Sequence, residues 1–152
     1  MRPRCLMMVA VSLFIAADPV DDTKRTKDKL QGTWAVMSVK SNNPDLDYLF
    51  KDLKLIFVGD KLTFKHKSGI EEQQYRLDPS KQPNVIDLIS DRALNKNKPL
   101  LGIYLLEGDD LKLCWSKRDG EDRPTAFAIK PGRARHVLLV LKREKPIQPE
   151  KK

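Results

Sequence analysis

The chain has 152 residues, 40% hydrophobic and 33% charged, with a formal net charge of +8. That length suits one domain, and the balance excludes a wholly disordered chain. Two cysteines exclude a disulfide-dense scaffold, two histidines leave little material for a zinc site, and no metal or cofactor is expected.

In chain order, Arg2 and Arg4 precede an apolar run from Cys5 to Ala17, broken only by Ser12, and Ala16-Ala17 stand before Asp18-Pro19. A basic start, a short apolar stretch and small residues at its end predict a secretory signal over 1–17. The run is shorter than the roughly 20 residues that span a bilayer. The protein is therefore expected to be exported, to the periplasm or beyond. Cys5 lies ahead of the apolar run, which argues against a lipid-modified cysteine. With the signal removed, Cys114 stands alone and reads as a small buried apolar residue. Residues 18–29 are polar without an apolar period and read as a linker.

From there the apolar period is mostly two, which predicts strands. The first covers 31–40. Leu53–Val58 and Lys61–His66 flank Gly59-Asp60, a compact hairpin signal. Ile70–Leu77 follows the Lys67-Ser-Gly69 turn, and Asn84–Ile89 follows a stretch dense in turn formers, Asp78 to Pro83. A polar loop spans Ser90–Pro99. Leu100–Leu106 and Leu111–Ser116 form a second hairpin around Glu107-Gly-Asp-Asp110. Thr125–Ile129 is a candidate ninth strand, and Val137–Arg143 is the last. One helix is predicted between strands one and two, where Leu46, Leu49, Phe50 and Leu53 are spaced i, i+3, i+4, i+7 behind Asn43-Pro44. The tail 145–152 carries two prolines and reads as disordered. The folded unit is thus 30–144. Eight strands in series with hairpin links predict an all-β, up-and-down antiparallel barrel, with a two-sheet sandwich as the alternative.

The location of the charge matters more than its size. Residues 18–129 hold 19 basic and 19 acidic residues, whereas 130–152 hold eight basic and two acidic ones. That final stretch has no aromatic to stack on a base, so no nucleic acid is expected as a partner. A solvated tail, or weak contact of the tail with an anionic envelope surface, fits it better.

Leu30-Gln-Gly-Thr-Trp34 at the start of the first strand resembles the Gly-x-Trp opening of lipocalins. Gly59-Asp-Lys-Leu-Thr-Phe64, Leu77-Asp-Pro-Ser-Lys81 with Ile86-Asp-Leu88, Gly102-Ile-Tyr104 with Leu111-Lys-Leu-Cys-Trp115, Arg123-Pro-Thr125 and Val140-Leu-Lys-Arg143 resemble the lipocalin-like domain family of planctomycete bacteria. The resemblance covers about 30–144. It implies a small lipocalin-type barrel behind a signal peptide and brings no ligand or activity. It also implies that Arg143, at the end of the last strand, stacks over Trp34 at the start of the first, with Gly32 beside them. Barrel topology brings those two ends together independently. The pair is expected to close the barrel structurally.

No Gly-x-Ser-x-Gly, His-Glu-x-x-His, phosphate loop or Cys-x-x-Cys is present, and the acidic turns lack the spacing of a calcium loop. No catalysis is expected. Asp87, mid-strand between Ile86 and Leu88, either faces solvent or is a satisfied buried acceptor. Function then rests on the lumen. Its candidate lining is Trp34, Phe57, Phe64, Tyr75, Ile103 and Trp115, for each of which plain core packing is the competing reading. The expected function is an exported, monomeric binding protein for a small, largely apolar molecule. The alternative is an envelope interaction or structural module with a filled barrel.

Overall fold

The computed structural model describes residues 19–42, 50, 52–89, 98–116, 122–129 and 136–145. Its strands are β1 (Gly32–Ser41), β2 (Lys54–Val58), β3 (Lys61–His66), β4 (Gly69–Asp78), β5 (Asn84–Ile89), β6 (Leu100–Glu107), β7 (Asp110–Ser116) and β8 (His136–Arg143). Each pairs antiparallel with the next, and β8 pairs with β1, so the sheet closes into a barrel. The expected up-and-down barrel is therefore found, and the sandwich is not. Every strand end falls within one residue of its expected position, because alternation and turn residues agree along most of the chain.

Three expectations change. Of residues 18–29, expected as a linker, 19–29 belong to a helix, α1 (Pro19–Leu30). Thr23, Thr26, Lys27 and Leu30, spaced i, i+3, i+4, i+7, are its withdrawn face. Threonine methyls and a lysine stem stand where an apolar stripe would normally be. Asp21 and Asp22 in the first turn and Lys27 and Lys29 in the last complement the helix dipole. The helix expected between strands one and two falls on 43–49 and 51, outside the described residues. Of the residues that carried it, Phe50 lies in a turn and Leu53 in no regular element, and Asp52 beside them holds φ 68°. The candidate ninth strand, Thr125–Ile129, is irregular. A closed barrel has no free edge for it to join, so it packs on the outside.

β1 carries a bulge between Val36 and Ser38. Before it Trp34 and Val36 face inward, opposite Arg143 and Leu141; after it Val39 faces inward, opposite Leu139. Without the extra residue, Ser38 and Lys40 would turn into the core, since a one-residue shift exchanges the faces of a strand.

The interior is a single apolar cluster drawn from every strand and from Leu30 of α1. Gly102 sits on the inner face of β6, where an added Cβ would meet Ile86 O at 2.9 Å and the Trp115 Cβ at 3.1 Å. Only a glycine lets Trp115 cross the lumen there.

Candidate functional site

The two ends of the barrel differ. At one, α1 ends against β1, the β2–β3 turn and the end of β8. A helix leaves four C-terminal carbonyls without intrahelical donors. Here each has one. The Gln31 Nε2 donates to Lys27 O at 2.9 Å, and the Gln31 N–H donates to Asp28 O at 3.3 Å. Arg143 Nη2 donates to Lys29 O, and Trp34 Nε1 donates to Leu30 O at 2.9 Å. Arg143 also donates from Nη1 to Gln31 O at 2.6 Å and from Nε to Asp109 at 3.1 Å.

The Arg143 guanidinium carbon lies 4.2 Å from the Trp34 ring centroid, the stacked pair expected at the closure. Gly32 holds φ +114°, and a Cβ there would sit 3.3 Å from Arg143 Nη1. All three closure residues thus meet. Gln31, immediately before Gly32 in sequence, was not foreseen. Its side-chain oxygen accepts from Gly59 N–H at 2.7 Å and its amide nitrogen lies 3.3 Å from the Tyr75 hydroxyl, which donates to Gly59 O at 2.8 Å. Burial pushes the Tyr75 hydroxyl above the ordinary phenol range, and its bond with Gln31 opposes that shift.

Inside, Trp34, Phe57, Phe64, Tyr75 and Trp115 all belong to the main cluster, as expected of lumen candidates. Ile103 does not. It pairs with Cys114 and packs with Leu138 beneath Phe127 and Ile129, on the outside of the barrel. Tyr104 takes the inward position instead. The cause is register: the β6–β7 turn sets Leu106 opposite Leu111, and hence Tyr104 opposite Leu113 and Gly102 opposite Trp115. Lys112 marks the outer face of β7, so that hairpin register was the available signal. The Tyr104 hydroxyl is buried, and burial pushes its pKa up to about 12, an effect the nearby Thr26 hydroxyl opposes.

The outer cluster is a second, smaller core. Arg123 fixes the segment that covers it, donating from Nη1 to Asp87 Oδ1 at 2.6 Å and to Gly102 O at 2.7 Å. Asp87 therefore faces outward as a half-buried, satisfied acceptor. Cys114 is buried beneath the segment, and desolvation pushes its pKa up to about 11, which leaves it a poor nucleophile. Among the described residues no group of three His, Cys, Asp or Glu side chains is placed to hold a metal ion.

Trp34, Phe57, Leu139 and Leu141, toward the helix, have no exposed surface, and neither do Leu55 and Leu62, the cross-strand partners of Phe64 and Gln73. Phe64, Leu88 and Trp115, farther from the helix, are also buried, and Phe64 and Trp115 pack edge to face at 6.1 Å. Gln73, Glu71 and His66 join them on the inner faces of β4 and β3. β2 begins only at Lys54, opposite Ala35, so the stretch of β1 beyond Ala35 has little of β2 beside it. A groove of about 630 Å³ opens there, lined by the β1 bulge, Phe50, Asp52 and Leu53. Phe50 reaches from it toward the His66 ring, at 6.5 Å between centroids.

This is an eight-stranded up-and-down barrel whose architecture fits a lipocalin-like fold, closed at one end by α1 and the Trp34–Arg143 pair. Comparison of the chain with family models, curated proteins and solved structures found no match.

Proposed function

We propose that the protein is an exported binding protein for a small, largely apolar molecule, seated at the barrel end away from α1. The observation that supports this most directly is the gradient along the lumen. Side chains fill the helix end, whereas toward the other end, where Phe64 and Trp115 are buried, a groove of about 630 Å³ opens along β1 between Ala35 and Val39. That volume is within the range of small-molecule sites, about 300–1,000 Å³. The filled half limits the ligand to a short molecule that reaches Phe64 and Trp115 but not Trp34. Export rests on the residue pattern of 1–17 alone.

The test is titration with 1-aminoanthracene, a small apolar fluorophore. Binding should enhance its emission, quench the tryptophan emission that Trp115→Phe removes, and leave that of Trp34 unchanged. A second reading, an interaction module with no ligand, is favoured by the dense packing of the helix end. Failure of the fluorophore to bind, with no small molecule retained on native mass spectrometry of protein from its own host, would select it.

A further inference from the structure

Gln73 stands on the inner face of β4, opposite Leu62 of β3, and is 9% exposed. Its Nε2 donates to Glu71 Oε1 at 3.2 Å, while its own Oε1 is buried and has no hydrogen-bond partner. Glu71 fixes that orientation, because the reversed amide would set oxygen against carboxylate oxygen. The result is a carbonyl acceptor aimed into an apolar interior with nothing to accept from, an arrangement proteins rarely leave unanswered.

The surroundings specify what would answer it. Glu71 is the cross-strand partner of Phe64, whose ring packs against Trp115. Among the described residues, Glu71 is the one carboxylate on the inner faces of the strands at this end, and no lysine or arginine shares those faces with it. Lys67, close by in sequence, is mostly exposed and paired with Asp52 at 2.7 Å. Arg143, also of inward register, is at the opposite end, committed to Trp34 and the helix carbonyls. The site therefore presents two acceptors, one of them anionic, beside two aromatic rings, with the His66 imidazole at the next inward position of β3 beyond Phe64. An anion or a molecule bearing only acceptors would be repelled by both.

We propose that the bound molecule is a small primary ammonium on a flat apolar body. One N–H would reach Gln73 Oε1 and another the Glu71 carboxylate, with the body against Phe64 and Trp115, whose rings also favour a nearby cation. This rests on the small-ligand reading above and adds the chemistry of the ligand's head.

The experiment compares three molecules of similar body: 2-phenylethylammonium, 2-phenylethanol and 3-phenylpropanoate. Each competes with 1-aminoanthracene on the full chain, with affinities checked by calorimetry. The ammonium should bind at least tenfold more tightly than the carboxylate, with the alcohol between them. Glu71→Gln should weaken the ammonium at least fivefold and leave the alcohol unchanged. Gln73→Leu should weaken both, with circular dichroism confirming the fold. Equal affinities for ammonium and carboxylate, or an ammonium affinity indifferent to Glu71→Gln, would overturn the proposal while leaving the small-ligand reading intact. Failure of 1-aminoanthracene itself to bind would overturn both.

Discussion

Removal of the Arg143 side chain isolates what holds α1 to the barrel. In the folded protein the guanidinium stacks on Trp34 at 4.2 Å and donates to Gln31 O and Lys29 O, with Asp109 3.1 Å from Nε. The stacked contact contributes about 0.5–2 kcal/mol. A hydrogen bond from a charged group contributes about 1.5–3 kcal/mol. The side chain is 24% exposed, so water can reach the carbonyls once it is gone, and the lower end applies to the two bonds together. The Asp109 pair is more than half exposed on the acidic side and adds about 0–0.5 kcal/mol.

Arg143→Ala should therefore destabilise the protein by about 2–4 kcal/mol, measured by urea unfolding followed in the far ultraviolet. Arg143→Lys separates charge from geometry. An ammonium can serve one carbonyl but cannot lie flat on an indole while bonding two in a fork, so it should recover less than half of the loss. A cycle with Trp34→Leu should show a coupling of about 0.5–2 kcal/mol. An Arg143→Ala loss below about 0.5 kcal/mol, as at an ordinary surface site, would refute the closure described here. Full rescue by lysine would refute the geometric part of it.

Gly32→Ala places a side chain at φ +114° and 3.3 Å from Arg143 Nη1, and should cost about 1–3 kcal/mol in a thermal melt analysed with its enthalpy. Arg123→Ala leaves Asp87 and Gly102 O without their donor and loosens the outer segment; it should cost about 1–3 kcal/mol and accelerate Cys114 labelling by a thiol reagent. Stability should also fall at alkaline pH. Cys114 and Tyr104 have folded pKa values raised from 9.0 to about 11 and from 10.0 to about 12. Each therefore stabilises fully below its unfolded pKa and loses that contribution as pH rises through the folded one. Tyr104→Phe should flatten the fall between pH 10 and 12, and Cys114→Ala that between pH 9 and 11, in urea midpoints measured across the range.

The strands were legible because local signals agreed. In β3, Leu62 and Phe64 alternate with Lys61 and Lys65, and Gly59-Asp60 fixes the turn before it, so face and boundary follow together. In β6 they do not. Leu100 to Leu106 is apolar at nearly every position because the inner face meets the lumen and the outer face meets Phe127 and Ile129. A strand covered on both sides shows no alternation, and Ile103 and Tyr104 cannot be told apart within it. Only the register passed across the turn from β7, where Lys112 marks the outside, separates them. The helix was illegible for the opposite reason. Its packing face is Thr23, Thr26, Lys27 and Leu30, and its anchoring is mostly polar: four carbonyls held by Gln31, Trp34 and Arg143.

The same contrast separates the two ends of the lumen. Trp34 and Arg143 were readable as a pair because strand order alone puts the first residues of β1 beside the last of β8, whatever the intervening loops do. Gln73 was not. Glu71-Glu-Gln-Gln-Tyr75 is polar over four residues, and on its own it gives no sign that alternate members point inward. Tyr75 fixes the parity: its hydroxyl bonds Gly59 O and its ring meets Phe57 edge to face at 5.2 Å, so Gln73 and Glu71, two and four residues back, share its face. Toward α1 that face ends in a satisfied network. Away from α1 it ends in an acceptor with no donor. An interior built only for stability would place an aliphatic side chain at position 73, since an apolar group there leaves nothing unpaired. A glutamine held in one orientation by a carboxylate is the feature that the proposed ammonium would answer.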